Sequence, residues 1–156
     1  MHRGFTLIEL VIVILLLGIL AAFAVPKWLG KGGFETHTLR DELVTRLRLV
    51  QTMNMHEGVG RCTQLVVEAN RFAHLTQTGD CAATGGIDGW HPDALRQGRV
   101  VTATGGIQLS PLVLTFDEST GRPLGDCAGG CDLAVSGGSE IARLRIEAEG
   151  YVHALR

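Results

Sequence analysis

The sequence predicts an α+β protein: a long hydrophobic helix at the amino terminus, then a head of one amphipathic helix and a mainly antiparallel β-sheet. Three observations predict it. An uncharged apolar run, "LVIVILLLGILAAFAV", follows Glu9 and reaches Val25. Beyond it Leu39, Leu43, Leu47 and Val50 are spaced at helical intervals. From about residue 61 short β-type stretches separated by turn residues take over, and "ARLRIEAEGYVHAL" alternates apolar and charged positions.

Taken in order, Phe5–Val25 as a helix is about 31 Å long, the thickness of a hydrocarbon core. Glu9 breaks the front of this segment, and a bare carboxylate there is costly. Pro26 has no backbone N–H and biases the preceding residue away from helix. With Gly30, Gly32 and Gly33 close behind, the helix is expected to kink or open around 24–33. A second helix begins near 34–36 and runs to about 55, with Asp41, Thr45 and Arg48 opposite its apolar stripe and Glu42 and Arg46 as an i,i+4 pair. "HEGVG" at 56–60 ends it. Strands are expected at 62–68 and 71–77, joined at Ala69–Asn70, then at 99–104, 107–109 and 112–117. The Gly-rich stretch 78–92 reads as loop. Ala142, Leu144 and Ile146 mark the buried face of a C-terminal strand, and a turn at Ala148–Gly150 returns the chain through Val152 and Ala154.

The chain has 156 residues, a net charge of −2 and 21 glycines, most of them beyond residue 78. The part after the apolar run is long enough for one core and not for two. Its mildly acidic, mixed surface carries no nucleic-acid footprint. Four cysteines, Cys62, Cys81, Cys127 and Cys131, all follow the apolar run, and in an exported domain they favour disulfides. Three connectivities exist. The sequence-local pairing, Cys62–Cys81 and Cys127–Cys131, is the one we expect. The first would stabilise the fold by roughly 3 kcal/mol in the chain-entropy model, the tight second loop by less.

The amino-terminal segment admits three readings. Arg3, the apolar stretch and Ala22–Ala24 fit a secretory signal peptide. Lys27 and Trp28 would suit the interface of a plain membrane anchor. The third reading is specific: "RGFTLIELVIVILLLGILAAFAVPKWL" resembles the start of type IV prepilins and type II secretion pseudopilins. The resemblance implies cleavage by a prepilin peptidase between Gly4 and Phe5, with methylation of the new N-terminal Phe5. Glu9 matches the family's glutamate, and Pro26 its helix-interrupting proline. It also implies a pilin-like fold, with a leader at 1–4, a transmembrane and filament-core helix at 5–29 and a periplasmic head at 30–156. That head would carry a helix at about 34–56 and a β-rich part at 61–156. The protein would start in the bacterial inner membrane as a single-pass chain and move to an extracellular pilus or a periplasmic pseudopilus. Its partners would be the peptidase and other pilin subunits. Residues 33–53 and 114–125 look most like minor pilins of mannose-sensitive haemagglutinin pili and the related H-type pseudopilin and FimT-like group.

No site chemistry emerges from the residues. "CAGGC" has three residues between its cysteines, against two in thioredoxin-type motifs, and reads as a structural disulfide. Cys62 and Cys81 are too far apart in sequence to complete an ordinary zinc site. "WHPD" at 90–93 adds a histidine, but none of Ser110, Ser119, Ser136 and Ser139 sits in a G-x-S-x-G elbow. Asp126 and Asp132 lack EF-hand spacing, and "TGGIDG" lacks the lysine of a phosphate loop. We therefore expect no enzyme, no cofactor, no metal and no small-molecule substrate. Arg143 and Arg145 invite a DNA-uptake role of the FimT-like kind, yet Glu147 and Glu149 beside them read as a balanced solvated face. A structural minor pilin used in assembly priming and attachment is the leading expectation, and a type II secretion pseudopilin or a DNA-binding FimT-like minor pilin for DNA uptake are the alternatives.

Overall fold

A computed structural model of the chain describes residues 6–29, 31–56, 60–78, 86–90 and 100–155. Helix α1 covers Leu7–Leu29 and helix α2 covers Lys31–His56. The helical backbone of α1 runs through Pro26, so the opening expected around 24–33 does not occur at 24–29. Pro26 falls in the last turns of α1, where one missing donor does not outweigh the preceding ladder. α2 starts earlier than the expected 34, taking Gly32 and Gly33 into its first turn.

Eight strands follow among the described residues: β1 (Arg61–Val67), β2 (Arg71–Thr78), β3 (Val100–Thr102), β4 (Gln108–Leu109), β5 (Leu112–Leu114), β6 (Cys131–Gly137), β7 (Glu140–Ile146) and β8 (Val152–Leu155). A short helix α3 (Ile87–Trp90) lies within the expected loop 78–92, and a 3-10 turn covers Gly125–Cys127. The strands form two four-stranded antiparallel sheets, in the orders β3-β2-β1-β5 and β4-β6-β7-β8. The strand β6 is not among those expected. It alternates Leu133 and Val135 inward with Asp132, Ala134 and Ser136 outward, and a two-residue turn at Gly138–Ser139 pairs it with β7 from Cys131↔Ile146 to Gly137↔Glu140. Gly138 takes φ +61°, which the turn requires.

α2 crosses both sheets and supplies the centre of the core. Leu43, Leu47 and Val50 are fully buried against Leu65, Phe72, Val135, Leu144 and Ile146. At roughly 1.5–3 kcal/mol per buried large apolar side chain, this stripe is the main adhesive between helix and sheets. Its amino-terminal end approaches the β6–β7 turn closely: a methyl group on Gly137 would meet Thr36 Oγ1 and Ile107. A second, smaller cluster of Val66, Ala73, Leu75 and Ile87 covers the other face of β1 and β2. Both faces of β1 are therefore buried, which explains why its sequence does not alternate.

Polar side chains of α2 tie the helix to strand ends and turns. Arg48 Nη2 donates to Val152 O at 2.8 Å and Arg40 Nη1 to Leu155 O at 3.3 Å, occupying carbonyls on the edge strand β8. Gln51 Nε2 donates to Gly121 O and Gly150 O, joining two turns. Asn54 is the next residue on the apolar stripe and is 3 % exposed. Its Nδ2 donates to Thr63 O, Thr115 Oγ1 and Phe116 O, and its Oδ1 accepts the Thr63 N–H at 2.9 Å.

Candidate functional site

The residues singled out by sequence fall into two regions, the start of α1 and the surface of the head. Gly4 and Phe5 lie outside the described residues. Thr6 immediately precedes α1, and the Glu9 N–H donates to its carbonyl at 3.1 Å and reaches its Oγ1 at 3.4 Å. Thr6-x-x-Glu9 thus has the spacing of a capping box with one half made: the threonine serves an orphan N–H of the first turn. Sequence reading missed this cap, although the T-x-x-E spacing at the head of an apolar run signals it. The Glu9 carboxylate meets no partner among the described residues and stands at the positive end of the helix dipole.

The rest of α1 presents apolar groups without cover. From Leu7 to Leu20 every described large apolar side chain is at least 39 % exposed, whereas Leu43, Leu47 and Val50 of α2 are 0 % exposed. Exposure on all sides distinguishes α1 from an amphipathic helix, which hides a single stripe. Among the described residues no helix is long and apolar enough to cross a membrane. The described α1 side chains run from Leu7 to Ala21, about 22 Å, while its backbone continues to Leu29, about 34 Å in all.

In the head, Cys127 and Cys131 are disulfide-bonded. Cys62 is also disulfide-bonded, and its expected partner Cys81 lies outside the described residues. No group of three or more potential metal ligands occurs among the described residues. Asp126 is exposed and Asp132 pairs with Arg145 at 3.0 Å. Ser110 Oγ donates to Ala134 O, Ser136 Oγ to Gln108 O and Ser119 Oγ to Asp117, so three of the four serines serve local structure. Trp90 ends α3, and the rest of "WHPD" lies outside the described residues.

The two arginines of β7 have different surroundings. Arg145 is held by Asp132 and Glu147, and these bonds raise its pKa, with the Glu147 hydrogen bond the largest cause. Glu147 also accepts from His153, whose ring stacks on Tyr151 with centroids 5.0 Å apart; the His153 and Arg145 bonds lower its pKa. Arg143 has no ion pair among the described residues and is exposed. Elsewhere, Glu68 accepts from Arg71 and from the Ile87 N–H, and Arg71 also grips Asp88, so α3 is clamped to the β1–β2 hairpin. No arrangement of nucleophile, base and orienting group is present among these contacts.

Comparison with known proteins finds one motif and two partial relatives. Residues 1–25 match the prokaryotic N-terminal methylation motif. The chain is 43 % identical over 51 residues to the type IV major pilin protein PilA of Myxococcus xanthus, covering 33 % of this chain and 22 % of that protein. It is 31 % identical over 85 residues to the type IV major fimbrial protein FimA of Dichelobacter nodosus, covering 54 % of this chain and 40 % of that protein. The match therefore spans less than half the length of each relative. No solved structure matches the chain. Both relatives are named as type IV major pilin or fimbrial proteins and neither as an enzyme. The chain thus carries the N-terminal methylation motif over residues 1–25 and an α+β pilin-like fold, and part of it is similar to type IV major pilin and fimbrial proteins.

Proposed function

We propose that the chain is a filament subunit of a type IV pilus, matured by prepilin peptidase between Gly4 and Phe5 and methylated on Phe5. Residues 5–29 hold it in the bacterial inner membrane with the head, 30–156, in the periplasm, until assembly transfers α1 from lipid to the filament core. The carrying observation is α1 itself, apolar and exposed all round, with the single carboxylate of Glu9 in its first turn. Such a surface is stable only when covered, first by lipid and then by copies of itself. The cut after Gly4 creates an amine at Phe5. Paired with Glu9 of a neighbouring subunit, it neutralises both charges in a low dielectric and fixes the axial register. Phe5, Glu9 and the prolyl end of the segment at Pro26 are thus the assembly elements of this reading.

Within the pilus we assign it as a minor subunit serving assembly priming and attachment. That assignment is supported by the resemblance of 33–53 and 114–125 to minor pilins, while the similarity to the two major pilin and fimbrial proteins covers 33 % and 54 % of the chain. Mass spectrometry of sheared filaments tests both levels. N-methyl-Phe5 as the first residue, at low copy number relative to another pilin, is the expected result. A mature start at Val25 would mean signal-peptide cleavage and remove the reading. Glu9→Val is expected to leave the membrane-fraction level unchanged and to deplete the protein from sheared filaments; normal incorporation would refute the role given to Glu9.

A further inference from the structure

A groove of about 300 Å³ runs between the first half of α2 and β3 with the turn that follows it. Its apolar walls are Phe34, Leu39, Val101 and Ile107, and Phe34 is 77 % exposed at the rim. Two carboxylates, Glu35 and Glu42, line it, with no basic residue among the described ones. Glu42 is neutralised by Arg46 at 2.8 Å, but Glu35 has no ion pair among the described residues and lies over the Gly105 turn. The complementary surface is on the outer face of β7. There Arg143 is exposed without an ion pair among the described residues, and Ile141, two residues away on the same face, is 55 % exposed.

The positions of the two surfaces match. Arg143 pairs in register with Leu155, whose carbonyl receives Arg40, so Arg143 stands level with the middle of the groove segment 34–42. On α2, Arg40 and Arg48 reach β8, while Glu42 and Arg46 project toward β2, where Arg46 meets His74. Groove and β7 patch therefore lie at a similar height, the groove beside α2 and the patch on the far face of the sheet that α2 packs on. Two such surfaces cannot meet within one chain, and they meet between parallel copies standing side by side. That is a heterologous contact, the kind that repeats into a ring or helix.

The geometry points to the β7 face of a second copy, with Ile141 and Arg143, as the occupant of this groove, Arg143 pairing with Glu35. The inference rests on the filament reading, which sets copies parallel through α1 and raises their effective concentration. An arginine beside an aliphatic side chain suits a desolvated contact with an apolar slot bearing one carboxylate.

The test uses the full-length protein assembled in cells. Thr104→Cys, a polar lining position of the groove, and Ser139→Cys at the β6–β7 turn leave the apolar walls, Glu35 and the β7 patch unchanged. Both Cys62 and the Cys127–Cys131 pair are bonded. A short bismaleimide is expected to give a ladder of cross-linked copies with the double variant and none with either single. Glu35→Arg or Arg143→Glu should reduce that ladder several-fold, and the two together should restore it. Mature N-methyl-Phe5 in sheared filaments without the 104–139 ladder, or a charge swap that fails to restore it, overturns this inference and leaves the filament reading standing. If the Thr104→Cys thiol cross-links only to a different polypeptide, the second copy is overturned as occupant. Absence of N-methyl-Phe5 and of filaments removes the filament reading and this inference with it.

Discussion

Asn54 shows how one residue can hold three elements together. It occupies the helical position after Val50 where an apolar side chain is expected, yet its amide satisfies backbone groups of β1 and of the segment after β5. Asn54→Leu keeps the branched shape with the same number of side-chain heavy atoms, adds some volume, and leaves the Thr63 N–H and the Phe116 carbonyl without this partner inside the core. It is expected to cost about 3 kcal/mol and to lower the melting temperature by roughly 10 °C. Thermal unfolding followed by circular dichroism measures this, and a change within about 0.5 kcal/mol would mean that water replaces the amide. Asp117 acts in a turn. Its Oδ1 accepts from the hydroxyls and N–H groups of Thr120 and Ser119, with the Thr120 hydroxyl the largest cause of a pKa lowered from 3.8 to about 2. A carboxyl depressed on folding contributes stability above its ordinary pKa and loses that contribution as pH falls through the depressed value. Between pH 3.8 and about 2 the melting temperature of the native protein should therefore fall toward that of Asp117→Asn, and parallel curves would show that Asp117 adds no pH dependence.

At the scale of elements, α2 is legible because Leu39, Leu43, Leu47 and Val50 repeat at helical spacing, and β7 because Ala142, Leu144 and Ile146 alternate with charged residues. Its neighbour β6 escapes because Ala134 and Ser136 on its outer face are small and only two residues, Leu133 and Val135, carry the alternation. Burial on both faces erases the period of β1, since Ile87 covers the far side from a distant loop. The start of α1 reads as a processing and assembly motif, while its Thr6 cap depends on a local hydrogen bond that the apolar pattern does not announce. Docking of α2 also depends on turns no periodicity reveals. Gly150 has φ +94°, and a methyl group there would collide with the Gly121 carbonyl and with Gln51 Nε2 at 2.7 Å. Gly150→Ala is therefore expected to destabilise the head by roughly 2 kcal/mol or more, through both the backbone and the loss of the Gln51 bridge. Chemical denaturation would show a lower midpoint with an unchanged m-value; an unchanged midpoint would mean that the turn refolds around the methyl group without loss.

Taken as a whole, the molecule keeps its stabilising contacts and its assembly surface in different places. Among the described residues the main core contains none before Leu39, and the close approaches of α2 to the β6–β7 turn begin at Gly33 and Thr36. In α1, by contrast, the described apolar side chains stand open. The head should therefore draw almost none of its folding free energy from α1, since apolar area that remains exposed contributes nothing to folding. Two disulfide-bonded sites further restrain it: Cys62 at the start of β1, and Cys127–Cys131, whose short ring adds about 2 kcal/mol in the chain-entropy model. A fragment of residues 30–156 is accordingly expected to remain in solution without detergent and to unfold cooperatively. Its melting temperature should lie within about 4 °C of that of the head in the detergent-solubilised full chain, a difference corresponding to about 1 kcal/mol. Differential scanning calorimetry of the two proteins makes the comparison. A fragment that lacks a cooperative transition would show that α1 completes the fold of the head, and the division between an assembly helix and a self-sufficient head would have to be abandoned.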